Sequence, residues 1–174
     1  MTDVAAEASA GNGSRDGSRD GIGDAPVESV RGEYTISTDR ARIDVAAVHA
    51  FLSQTYWSPG IPESVVRRAI AGAISFGIYQ GREQVGFARV ITDRATYAYL
   101  SDVYVLEAHR GRGLARWLME VIMSHPDLQG LRRFSLSTRD AHALYAQFGF
   151  EVVKNPDRQM EILRRDIYVR QSER

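Results

Sequence analysis

Leu100-Ser-Asp-Val-Tyr-Val-Leu-Glu-Ala-His-Arg-Gly-Arg-Gly-Leu-Ala115 runs directly into the apolar helix pattern of residues 116–124. The stretch reads as a strand, a glycine-containing turn and a helix N-terminus, with Arg110 and Arg112 beside the turn. A helix start presents unpaired backbone N–H groups and a partial positive charge, so it favours a phosphate. Gly111 and Gly113 remove the Cβ atoms that would keep a ligand away from that backbone.

Two phosphate loops are excluded by spacing. The dinucleotide fingerprint needs a third glycine three residues after the second, where this chain has Arg116. The nucleotide P-loop needs Gly-Lys-Ser/Thr before the helix, and no such string occurs. What stands here is Arg110-x-x-Gly113-x-Ala115, and later in the chain comes Asp140-Ala-His-Ala-Leu-Tyr-Ala-Gln-Phe-Gly-Phe150. The first string resembles the acyl-CoA loop of the GCN5-related N-acetyltransferase (GNAT) superfamily, Gln/Arg-x-x-Gly-x-Gly/Ala. The second is similar to that family's closing helix, with Leu-Tyr and then Gly-Phe. The resemblance spans roughly residues 33–165.

Elsewhere the sequence sets bounds. A chain of 174 residues with 44% hydrophobic content supports one core, so a single domain with a tail is expected. Net charge is zero, which argues against nucleic-acid and membrane-surface partners. Without cysteine there is no disulfide framework, thiolate metal site or cysteine nucleophile, and no metal site is expected. No apolar run reaches the roughly 18 residues of a membrane span, and no secretory signal stands at the N-terminus. A cytoplasmic protein is the default expectation.

Residues 1–32 are read as a disordered tail, since their first 25 positions hold little beyond alanine, glycine, serine and charges. Residues 33–174 are read as the domain. A strand is expected at 33–37 and a helix from Asp44, its N-cap, with Val45, Val48 and Leu52 on one face. Pro62 is expected to start a second helix. Strands are expected next at 75–79, 84–92 and 96–106, then the phosphate-loop helix at 114–124. A strand at 133–137, a helix at 140–148 and final strands at 151–153 and 160–163 complete the series. The fold class is α/β; the resemblance implies the GNAT fold, a mixed, mostly antiparallel sheet flanked by helices.

The same resemblance assigns roles. The backbone amides of Arg110, Gly111, Arg112, Gly113, Leu114 and Ala115 would hold the CoA pyrophosphate. Val103, Tyr104 and Val105 would bond the pantetheine arm, with one amide facing the thioester oxygen. Thr138 stands where many members have an asparagine that contacts that arm, and Asp140 beside it is a possible helix cap. Tyr145 would protonate the departing thiolate; by periodicity alone it is a packed aromatic in the stripe Ala141, Leu144, Tyr145, Phe148.

Asp102 is a carboxylate inside an apolar strand, which reads either as the base that deprotonates an ammonium or as a satisfied buried aspartate bonded to a backbone amide or to Arg89. On the acceptor side the candidates are Tyr56, Trp57, Arg89 and Tyr99. The implied activity is acetyl transfer from acetyl-CoA, as cosubstrate, to a primary amine of a small molecule or peptide. The alternative is a non-catalytic acyl-CoA-binding or regulatory domain on the same fold. A homodimer is compatible with either.

Overall fold

The computed structural model describes residues 25–169. The expected tail therefore lies outside the described residues for its first 24 positions. Its last part does not fit the expectation: β1 (Glu28–Arg31) pairs antiparallel with β2 (Tyr34–Ser37) around Gly32 at φ 60°. Hydrophobic patterning does not reveal the hairpin, because β1 is an edge strand with mostly exposed side chains. Its hold on the body is polar: Arg42 bonds Glu28 at 2.6 Å, and the Arg31 guanidinium lies 5.0 Å from the Trp117 ring centroid.

α1 (Val45–Leu52) is capped by Asp44, whose carboxylate accepts from the Ala47 amide at 2.9 Å. α2 (Glu63–Ala71) begins after Pro62. Then come β3 (Ile74–Gln80), β4 (Glu83–Thr92) and β5 (Tyr97–Val105), α3 (Leu114–Ser124), β6 (Arg133–Leu136) and the short α4 (His142–Ala146). The six strands lie in sequence order, antiparallel from β1 to β5, with β6 parallel to β5. This is the expected mixed, mostly antiparallel sheet flanked by helices.

The sheet separates two cores. On one face Ile36, Phe76, Val90 and Leu100 pack with Trp117, Leu118 and Ile122 of α3. On the other, Phe87 and Tyr104 meet Val48 and Leu52 of α1 and Val66 and Ile70 of α2. Strand alternation would place even-numbered residues of β5 on one face throughout. It does so for Ala98 and Leu100, which join the α3 core, but Val105 joins that core too and Tyr104 the opposite one. The switch lies at Asp102, φ 56°, beside a register shift between Phe87 and Arg89 of β4. An extra residue in the ladder is a bulge, and it re-aims the side chains beyond it.

β6 ends its pairing at Leu100↔Leu136, whereas β5 continues to Val105. The strands therefore part over residues 101–105. The final strands expected at 151–153 and 160–163 do not form. Those residues have no strand pairing and are exposed, including Val152, Met160 and Ile162 at 79%, 98% and 90%. The alternation that predicts a strand is present, but a strand needs a neighbour, and this segment pairs with none among the described residues.

Among the described residues no helix is long and apolar enough to cross a membrane, and no group of three acidic, histidine or cysteine residues could hold a metal.

Candidate active site

The α3 start is bare. Gly113 is its N-cap at φ 76° with no side-chain cap, and Gly111 also sits at φ 75°. An L side chain is strained at such angles, and a Cβ at either glycine would point into open space. The amide of Arg110 donates to the Glu107 carbonyl at 3.1 Å, and that of Trp117 to Gly113 at 3.0 Å. Between them, the amides of residues 111–116 have no acceptor among the described residues. Six successive donors at a helix N-terminus are a geometry suited to an anion.

The Arg110 guanidinium turns inward and donates from Nε to the Val105 carbonyl at 3.0 Å, tying the loop to the end of β5. Arg112 stays exposed, 3.8 Å from Glu33. Leu114 is buried in the α3 core, which fixes the helix below the loop, and Ala115 packs against the same core.

Val103, Tyr104 and Val105 lie where β5 has outrun β6, so among the described residues no strand covers their β6-facing backbone. The Tyr104 side chain points away, stacked on Phe51 with centroids 3.8 Å apart, and burial pushes its phenol up. Across the gap Tyr145 is buried, 8% exposed, edge-on to Phe150. Its hydroxyl makes no hydrogen bond to any described residue. Burial raises its pKa, and the nearby Asp140 and Tyr56 add to that.

Thr138 Oγ1 accepts from the Ala141 amide at 3.0 Å and so supports the turn into α4. Asp140 is not the cap that the sequence offered: α4 begins after Ala141 with no side-chain cap, and Asp140 instead lies 3.8 Å from Arg139.

The acceptor-side candidates converge on the bulge. Arg89 Nε donates to Asp102 Oδ2 at 2.5 Å and Trp57 Nε1 to Asp102 Oδ1 at 3.2 Å. Tyr56 meets Trp57 edge to face with centroids 4.9 Å apart. Tyr99 shares the neighbourhood: its pKa is raised, first by burial and then by the charges of Tyr97 and Asp102. Tyr56 and Trp57 remain 56% and 44% exposed, an aromatic ledge open to a ligand.

Two participants escape sequence reasoning. Arg139 lies over the Tyr56 ring at 4.1 Å, and Ser101 accepts from Arg89 at 3.4 Å. Neither carries a local signal, because each matters only through a partner far away in the chain.

Comparison with known proteins agrees with this geometry. The acetyltransferase (GNAT) domain model matches residues 71–152. A Gibberella zeae protein designated an acetyltransferase is 35% identical over 145 residues, 70% of this chain and 81% of the relative. A Xanthomonas campestris crystal structure assigned to the GNAT family is 48% identical, covers 80% of this chain and 99% of that one, and superposes with a TM-score of 0.77. A Clostridium acetobutylicum acetyltransferase structure with acetyl-CoA shares the fold at 16% identity and a TM-score of 0.57, over 75% of this chain and 94% of that one. With a bare phosphate-ready helix start, a parted β5–β6 pair and relatives of this kind, the chain belongs to the GNAT family of acetyltransferases.

Proposed function

We propose that this protein is an acetyl-CoA-dependent N-acetyltransferase that moves an acetyl group directly to a primary amine of a small molecule or peptide. The observation that carries the reading is the run of amides at residues 111–116 with no acceptor among the described residues, following directly on the end of β5 where β6 has stopped. A pyrophosphate fits such a cradle: the amides supply donors, the helix start a partial positive charge, and the glycines a Cβ-free approach. The backbone of Val103, Tyr104 and Val105 then lies free to bond an extended pantetheine arm, with the Thr138 hydroxyl on the α4 side. That a relative of this fold is known with acetyl-CoA supports the choice of cosubstrate.

The thioester supplies the acetyl group; a C–N bond forms as the C–S bond breaks, the ammonium sheds one proton before attack and a second to solvent after it, and the leaving thiolate takes one up. An alkyl ammonium has no lone pair, so it must first lose a proton. Asp102 is the carboxylate to which Trp57 of the aromatic ledge donates. Each of its oxygens has one donor, from Arg89 or Trp57, and keeps a second lone pair with which to accept. Tyr145 serves the other end. Burial keeps its phenol protonated through the neutral range, and its proton is not committed to another group, so it can be passed to the leaving thiolate. An amide of β5 facing the developing oxyanion can lower the barrier by about 3 kcal/mol.

Tyr56, Trp57, Arg89 and Tyr99 form the acceptor side. Their aromatic faces suit an acceptor with an apolar part beside its amine.

The test is release of free CoA thiol from acetyl-CoA across a panel of primary amines and peptide N-termini. Turnover with at least one amine is expected. Saturable CoA binding without turnover on any amine would favour a non-catalytic acyl-CoA-binding module.

A further inference from the structure

The acceptor side holds two arginines, and the structure gives them different roles. Arg89 is committed: its Nε donates to Asp102 and its Nη2 to Ser101, and its side chain is 17% exposed. A guanidinium placed in this way balances a buried carboxylate and has little left for a ligand.

Arg139 is the reverse case. It stands in the turn between β6 and α4, which the Thr138 hydroxyl fixes by accepting from the Ala141 amide. Its guanidinium carbon lies 4.1 Å from the Tyr56 ring centroid. Among the described residues it donates no hydrogen bond, and its ion partner is Asp140 at 3.8 Å, with both side chains exposed. Such a pair contributes little. The aromatic ring instead holds the group in place and leaves its N–H donors available.

That ring ties Arg139 to the rest of the site. Tyr56 meets Trp57 edge to face, and Trp57 in turn donates to Asp102. One aromatic ledge therefore carries a cation with unused donors at Tyr56 and a carboxylate at Trp57. The cation end also borders the proposed proton donor, since Asp140 and Tyr56 both act on the Tyr145 phenol.

We infer that the acceptor is an amine that also bears a carboxylate, and that Arg139 receives this carboxylate. The ammonium is drawn to Asp102, the apolar body lies on Tyr56 and Trp57, and the carboxylate replaces Asp140 as the partner of the guanidinium. Charge argues for a monoanion. One guanidinium already shadowed by Asp140 balances a carboxylate and falls short of a phosphate dianion. The planar fork of an arginine also matches two carboxylate oxygens at once. The inference rests on the acceptor site proposed above and narrows its substrate class, but binding and turnover are read separately.

Calorimetric titration of the full chain, with CoA present, compares two pairs of probes. Phenylalanine is set against phenethylamine, and para-(aminomethyl)benzoate against benzylamine. Each pair differs only in the carboxylate, and the pairs differ in its distance from the amine. In at least one pair the carboxylate probe should bind about tenfold tighter, the range of a charge-assisted hydrogen bond. Arg139→Gln should bring the two affinities together, and Arg139→Lys, which keeps the charge without the fork, should fall between. In free-thiol assays the same split should appear in KM for the amine rather than in kcat. Selective carboxylate binding that Arg139→Gln abolishes, without turnover of any amine, would uphold this inference and sink the enzyme reading. Equal binding within both pairs, no binding of any probe, or a preference untouched in Arg139→Gln would overturn it. So would tighter binding of para-(aminomethyl)phenylphosphonate, which would assign the site to a dianion.

Discussion

Arg89 and Asp102 are joined Nε to Oδ2 at 2.5 Å across the β4–β5 ladder, at the residue whose φ of 56° breaks that ladder's alternation. The two facts depend on each other. Without the bulge, position 102 would share the face of Leu100 and enter the α3 core, where a carboxylate has no partner. With it, the carboxylate reaches the α1–α2 face, where Arg89 and Trp57 meet it. The side chains are 17% and 8% exposed, so the pair is largely withdrawn from solvent.

Substitutions at Asp102 should therefore separate charge from backbone. Asp102→Asn tolerates positive φ but leaves the Arg89 cation unpaired, at a cost on the order of 3 kcal/mol. Asp102→Ala loses the same pair and adds about 1–2 kcal/mol of left-handed strain, which Asp102→Gly avoids. Urea unfolding should rank Asn above Gly above Ala. Equal stability of Ala and Gly would show that the backbone at 102 is not strained.

Gly113 tests the phosphate cradle. Thermal unfolding of the parent should shift upward with CoA. Gly113→Glu should lose most of that shift, since it brings a side chain and a negative charge to the bare helix start. Gly113→Asn accepts the φ of 76° and should keep more of it. No shift in the parent at millimolar CoA would remove the cradle's assignment.

His125 makes stability depend on pH. It is 6% exposed, and its Nδ1 accepts from the Asp127 amide at 3.2 Å. Burial lowers its pKa below the usual 6.5; Asp127 opposes this and Arg94 adds to it. The unfolded chain therefore takes up the proton first as pH falls. The contribution is fully present above about pH 6.5 and is lost progressively below it. His125→Asn can still accept from the Asp127 amide, so its melting temperature should decline less between pH 7 and 5 than the parent's. Parallel declines would assign the acid sensitivity elsewhere.

How far the sequence can be read varies along the chain for physical reasons. α3 is legible at both ends, because a regular apolar stripe begins after Gly113 and stops at His125-Pro126. Asp44 is legible as a cap because capping is local. β1 is not, since an edge strand such as Glu28–Arg31 needs no apolar face. Asp102 stands out as a carboxylate in a strand, but its bulge and its bond from Trp57, 45 residues away, are tertiary facts. Residues 151–163 show the opposite failure: their alternation is plain in the sequence, yet no strand among the described residues pairs with them.

Tyr145 separates an enzyme from a binding module. Its ring packs edge-on against Phe150, while its hydroxyl bonds no described residue. Tyr145→Phe should therefore keep the packing and delete only the proton, leaving the melting temperature and the CoA-dependent shift nearly unchanged. If the phenol protonates the leaving thiolate, kcat should fall by about 10²-fold, with kcat/KM for the amine falling in parallel. The pH profile adds a second reading. Burial moves the Tyr145 pKa above its ordinary value near 10, so the parent's rate should not decline through loss of this proton anywhere below about pH 10. Full turnover in Tyr145→Phe would pass the acid role to water or another group, and would reduce Tyr145 to a packed aromatic beside Phe150.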